Sequence, residues 1–95
     1  MTSAGFDAAL RVSRLCKALG HPARATIIRL LLGQRRPLTC GEIVAQLPLA
    51  QSTVSQHLRV LGQAGLVTAE EQPPRVLYRA DARTLEELRR ALAAL

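Results

Sequence analysis

Between Gln51 and Gln63 the chain carries short or amide-bearing side chains where a solvent-facing helix would ordinarily carry Lys and Glu. They are Gln51, Ser52, Thr53, Ser55, Gln56, His57, Arg59 and Gln63. The chemistry open to such a set is hydrogen bonding to a patterned edge. A Gln amide bonds an adenine edge at two points, an Arg guanidinium a guanine edge, and Ser or Thr hydroxyls serve bases or phosphates. Val54, Leu58 and Leu61 fall at i, i+4 and i+7 and mark an apolar stripe. At about 100° per residue, Ser52, Gln56, Arg59 and Gln63 lie nearly opposite that stripe, with Thr53 and Ser55 beside them. His57 falls closer to the core side, where it packs beside the polar face or touches a phosphate.

Other residues could act on an anionic partner. Arg75 follows the Pro73-Pro74 pair and suits a phosphate or minor-groove contact. Arg79 is the weaker choice, because it can pair with Glu70 or Glu71. Arg35 and Arg36 either touch phosphates or form a solvated loop. His21 precedes Pro22 and reads as a helix cap, too far in sequence from His57 to be its partner in a metal site. No paired carboxylates, Ser-His-Asp arrangement or phosphate-cradling glycine loop is present, so the chain is not read as an enzyme.

The elements that must position these groups follow from periodicity and punctuation. Phe6 to Leu19 reads as a helix ended by Gly20, with Arg11, Arg14 and Lys17 on its polar side. Pro22 opens a second helix running to Gly33, whose Ile27, Ile28, Leu30, Leu31 and Leu32 predict the most buried helix. Thr39-Cys40-Gly41-Glu42 is a capping box that starts a short third helix, with Ile43, Val44 and Leu47 inward and Pro48 as its stop. The polar-faced segment is the fourth helix, ended by Gly65. Leu66–Glu71 and Arg75–Ala80 read as two strands of a hairpin. Asp81 and Thr84 offer caps for a last helix lined by Leu85, Leu88, Leu92 and Leu95. The fold class is therefore mostly α with a small β-hairpin wing, a winged helix-turn-helix of five helices and a two-stranded antiparallel wing. Residues 1–95 form a single domain.

Composition narrows the partner. The chain has 95 residues, 48% hydrophobic but only 2% aromatic, with a net charge of +6. The scarcity of aromatics argues against a base-stacking binder of single strands. The positive balance favours an anionic partner, nucleic acid before a membrane surface. The N-terminal segment lacks the basic-then-apolar pattern of a signal peptide, and no apolar run reaches the roughly 18 residues of a membrane span. The expectation is a cytoplasmic protein.

Four segments carry a resemblance to a known family: Leu19–Leu32 (LGHPARATIIRLLL), Leu38–Leu47 (LTCGEIVAQL), Gln51–Val67 (QSTVSQHLRVLGQAGLV) and Pro74–Ala80 (PRVLYRA). Together they resemble the ArsR/SmtB family of bacterial winged-helix transcriptional repressors, in order and across nearly the whole chain. The resemblance implies a homodimer paired through the first and last helices and a wing over residues 66–80. It also implies two reading helices set on successive major grooves of palindromic double-stranded operator DNA. The candidate DNA-binding residues, read from the helix face and the hairpin tip, are Gln51, Ser52, Thr53, Ser55, Gln56, His57, Arg59 and Arg75. The Leu and Ala content of the terminal helices fits an interface independently.

Many family members release DNA on binding a metal. The family's Cys-x-Cys pattern in the third helix falls here on Thr39 and Gly41, with Cys40 displaced by one. The last helix has none of the histidines of the family's other site, and the second wing strand has no cysteine. No resident cofactor or metal is expected. Cys16 and Cys40 leave two readings open. They form a thiol sensor for arsenite or another thiophilic inducer, favoured by the position of Cys40 at a helix start, where a thiolate is stabilised. Otherwise they are small buried hydrophobes. The function class that competes with operator binding is a winged-helix protein-interaction module. Such a module would need large apolar residues on the outer face of the fourth helix.

Overall fold

In the computed structural model, which describes residues 2–95, the elements run in the order α1 (Ser3–Leu19), α2 (Pro22–Leu32), β1 (Leu38–Thr39), α3 (Cys40–Val44), α4 (Gln51–Gln63), β2 (Val67–Gln72), β3 (Arg75–Ala80) and α5 (Ala82–Ala93). Most helix starts are closed by the side chain the sequence supplies. Thr2 accepts from the amide of Gly5, His21 Nδ1 from Ala23, Thr39 from Glu42, and Asp81 from Thr84. Each such cap satisfies one of the four amides that a helix start leaves open. α1 thus begins at Ser3, ahead of Phe6, because Thr2 is available as its cap.

α4 ends in a Schellman motif. Gly65, at φ 80°, donates to the carbonyl of Gly62, and Leu66 donates to that of Leu61. The left-handed conformation favours glycine there, and it turns the chain so that Leu66 is fully buried. The wing opens at once, and Asp81 closes its base by donating to the Leu66 carbonyl at 2.9 Å.

The wing departs from the two-stranded expectation. β1 adds to β3, with Leu38 opposite Tyr78 and Thr39 opposite Leu77, giving a three-stranded antiparallel sheet in the order β1-β3-β2. In the β2–β3 hairpin Gln72 faces Arg75 and Thr68 faces Arg79. Two residues carry too little alternation to announce a strand from sequence. Here β1 anchors the start of α3 to the wing, so the helix-turn-helix and the hairpin share one frame.

Leu15, Ile27, Leu38, Ile43, Val54, Leu61 and Leu66 form the inaccessible centre of the core. Full burial of such side chains is worth about 1.5–3 kcal/mol each. The stripe expected on α4 is the observed one, with Val54, Leu58 and Leu61 all buried. α2 buries Ile27, Ile28 and Leu31, but Leu32 is exposed, so the expectation of burial on most faces is corrected there. α3 stops at Val44, earlier than Pro48 requires, and Leu47 is half-buried in the turn that follows. α1 and α5 lie side by side, bridged by Arg11 and Glu87 at 2.7 Å. Both charges are half-exposed, so the bridge sets geometry more than stability.

Candidate nucleic-acid interface

α3, the turn at residues 45–49 and α4 make a helix-turn-helix, and β2 and β3 extend beside it as the wing. α4 presents Gln51, Ser52, Thr53, Ser55, Gln56, Arg59 and Gln63 to solvent. Among the described residues, none of these side chains hydrogen-bonds to the rest of the protein. The hydroxyls of Ser13 and Thr26, by contrast, fold back onto carbonyls in α1 and α2. The α4 set is therefore exposed and unsaturated, with Arg59 as the single charge on a helix that has no Asp or Glu.

The start of α4 differs from the other helix starts. Its cap position is Ala50, which has no side chain to accept from the first-turn amides. The first-turn residues Gln51, Ser52 and Thr53 are exposed, and this positive end of the helix dipole is where an anion is favoured. Charge and geometry at this end both suit phosphate.

His57 stands apart from the exposed set. It is half-buried, and its ring centroid lies 4.5 Å from that of His21, tilted by 47°. Distance in sequence does not keep these two histidines apart. The fold brings them into contact, although they are 36 residues apart in a numbering that runs from His21 to His57. His21 uses Nδ1 to cap α2, as its position before Pro22 suggests. Burial, and then the charges of His21 and Arg24, hold the His57 pKa below the ordinary imidazole value. Its position is the flank of α4 rather than the face opposite the core.

The wing places Arg75 at the exposed hairpin tip. Arg79 is exposed as well and faces Thr68; among the described residues neither Glu70 nor Glu71 forms an ion pair with it, so the cross-hairpin pairing is not found. Arg36 is not a free loop cation. It forks onto Glu42, whose Oε1 also accepts from the Thr39 amide at 2.9 Å. The Arg36 hydrogen bond first, then the Thr39 amide, hold the Glu42 carboxyl down to about 2. This clamp completes the capping box and fixes the start of α3 against the loop.

The two thiols sit in different surroundings. Cys40 is half-buried against the core, and burial pushes its thiol up, not down. The dipole of a five-residue helix does not overcome that desolvation. Cys16 is exposed on α1, and both cysteines are free. The reading of both as buried hydrophobes therefore fails at Cys16.

A family-type metal site does not fit these residues. The Thr39 hydroxyl is engaged by the Glu42 amide, and Gly41 has no donor. On α5, Glu86 is taken by Arg89 and Arg90, and Glu87 by Arg11. Among the described residues no group of three or more His, Cys, Asp or Glu side chains could hold a metal ion.

Comparison with known proteins agrees with this architecture. Residues 21–69 match the family described as "Bacterial regulatory protein, arsR family". The chain is 37% identical over 71 residues to the biofilm growth-associated repressor of Agrobacterium fabrum, covering 75% of this chain and 59% of that protein. It is 42% identical over 65 residues to the HTH-type transcriptional repressor SmtB of Mycobacterium tuberculosis, covering 68% of this chain and 47% of that protein. The matched segments thus span only about half of these relatives' lengths. Among solved structures, a possible transcriptional regulator for arsenical resistance superposes with a TM-score of 0.75 at 33% identity, over 85% of this chain and 81% of that one. With the helix-turn-helix, its wing and the terminal helices all in place, the chain belongs to the arsR family of bacterial regulatory proteins.

Proposed function

We propose that this protein is a homodimeric, sequence-specific double-stranded DNA-binding repressor of transcription that acts in the cytoplasm without enzymatic activity. The observation that carries the reading is the row of exposed, internally unsatisfied polar side chains on α4. They continue into first-turn amides that no side chain caps. In this reading Gln51, Ser52, Thr53, Ser55, Gln56 and Arg59 meet base edges and phosphates of the major groove. Arg75 meets the backbone or minor groove from the wing, and His57 braces the helix from its flank. A protein-docking surface would instead be expected to show large apolar side chains on α4, and its exposed face has none.

The dimer is supported by α1 and α5. Among the described residues five large hydrophobics are exposed; Phe6, Leu10, Leu92 and Leu95 belong to the two terminal segments, and Leu32 on α2 is the exception. Between the helices runs an apolar groove of about 600 Å³, lined on one side by Ala8, Ala9 and Val12 and on the other by Ala91 and Ala94. A second copy offers the matching surface. No membrane interaction is assigned, and no described helix is long and apolar enough to cross a bilayer.

The test is fluorescence anisotropy on labelled DNA from the region upstream of the protein's own gene, with excess competitor DNA. Retained binding supports the repressor reading, and equal affinity for competitor overturns it. Repeating the titration with arsenite examines a thiophilic inducer. With Cys40 desolvated against the core, the expected result is unchanged binding, and loss of binding would assign the switch to Cys16 or Cys40.

A further inference from the structure

Three basic side chains gather beside α4 rather than on its exposed face. Arg14 and Lys17 from the end of α1, Arg24 from the start of α2 and Gln63 from the end of α4 rim a cleft of about 440 Å³. Its remaining wall is apolar, made by Ala18, Val60 and Ala64. No carboxylate lines it. Among the described residues none of the three cations is ion-paired; six other arginines are also unpaired, but they are not gathered with one another around a cleft that has an apolar wall.

Arg24 is the decisive residue. It is half-buried, and its Nε is inaccessible and without a hydrogen-bond partner. Nε is enclosed by the protein itself, so an occupant of the cleft would meet the guanidinium through its two terminal nitrogens, which make no hydrogen bond among the described residues. The charge is felt locally: after burial and His21, Arg24 also pushes the His57 pKa down.

We propose that this cleft is a binding site for a small organic anion, a carboxylate or phosphate monoester carried on an apolar body. Arg24 and Arg14 supply charge-assisted hydrogen bonds to the anionic head, Lys17 adds a point charge, and Gln63 adds an amide. Ala18, Val60 and Ala64 receive the apolar body. An inorganic ion would leave that wall uncovered, and a neutral ligand would leave three cations unpaired. Helical periodicity places Arg14 and Ala18 on the side of α1 away from Ala8 and Val12, so the site does not compete with the terminal-helix groove. The ligand would lie along the flank of α4 that also carries His57, within reach of the helix proposed to read DNA. Binding of the anion does not depend on that DNA reading.

The test is an amide chemical-shift titration of the ¹⁵N-labelled protein with phenyl phosphate and with benzoate, using benzyl alcohol as the uncharged counterpart. The expected result is saturable shifts for at least one anion, centred on residues 14–18, 24 and 60–64, and none for benzyl alcohol. Arg24→Gln should weaken that binding about tenfold or more, the loss of one charge-assisted bond. Should Arg24→Gln fail to fold, the paired rim change Arg14→Gln with Lys17→Gln serves in its place. Equal shifts with benzyl alcohol, shifts scattered over the surface, or undiminished binding in the variants overturns the site. Absent anion shifts, with a smaller salt slope for DNA binding in the variants, would assign the cations to backbone phosphate and also overturn it. Saturable anion binding by a protein that fails to bind DNA would leave the cleft standing and remove the repressor reading.

Discussion

Replacing Leu92 by Arg tests the assignment of α1 and α5 as the dimer surface. Leu92 is 45% exposed, while Leu88, one turn earlier on α5, is 5% exposed and holds the helix to the core. Covering the exposed near-half of a leucine is worth about 1 kcal/mol on the scale of about 1.5–3 kcal/mol for full burial. A dimer contains two copies, so about 2 kcal/mol of association energy is lost with the apolar surface. Placing a guanidinium in an apolar seam adds a desolvation penalty of at least similar size. The total, about 4 kcal/mol, weakens dimerisation roughly 10³-fold. Because Leu88 remains, the monomer should keep its helical circular dichroism. Sedimentation equilibrium over a wide concentration range should then show a monomer where the parent protein is dimeric. A Leu92→Arg protein with an undiminished dimer would refute the assignment of this face, and one that unfolds would show that Leu92 serves the monomer core.

Gln56→Ala removes an exposed side chain with no internal partner, so thermal stability should hold while affinity for the preferred DNA falls by about 1–3 kcal/mol per lost bidentate contact. Unchanged sequence preference by anisotropy would remove Gln56 from the reading set. Arg75→Ala should weaken binding to all DNA sequences alike and reduce the salt slope by about one phosphate contact, measured between low and physiological salt. The Glu42 carboxyl is held at about 2 against an ordinary 4.5, so its contribution to stability is present above the ordinary value and is lost as pH falls toward 2. The stability gap between the parent and Glu42→Gln, read by urea unfolding, should therefore close across that range. His57 is depressed in the folded state, so the unfolded chain takes up the proton first. Stability should be full above the ordinary value of 6.5 and fall as pH drops through it, and His57→Leu should flatten that slope.

Much of the architecture is legible in the sequence because it is encoded locally. The Val54, Leu58 and Leu61 spacing places the buried stripe of α4 and so its polar face. Thr39 and Glu42 announce a capping box that forms as written, and His21 before Pro22 announces a cap. What is not legible depends on contacts between distant segments. β1 is two residues that become a strand only because Tyr78 and Leu77 lie alongside. The His21–His57 contact needs α2 and α4 already packed. The basic cleft draws on three helices, and no local motif links Arg14, Arg24 and Gln63. Cys40 shows a different failure. Its place at a helix start argues for a thiolate, but the same capping geometry turns it toward the core, and desolvation outweighs a dipole of one short turn. Arg36 reads as a loop cation until Glu42, six residues on, is seen to take it.

The most direct measurement is hydroxyl-radical footprinting of the protein on DNA from upstream of its own gene. A dimer that sets one α4 in each of two successive major grooves predicts two protected patches about 10–10.5 base pairs apart, related by a dyad, in the presence of competitor DNA. A single patch, protection without a preferred position, or no protection would contradict the account.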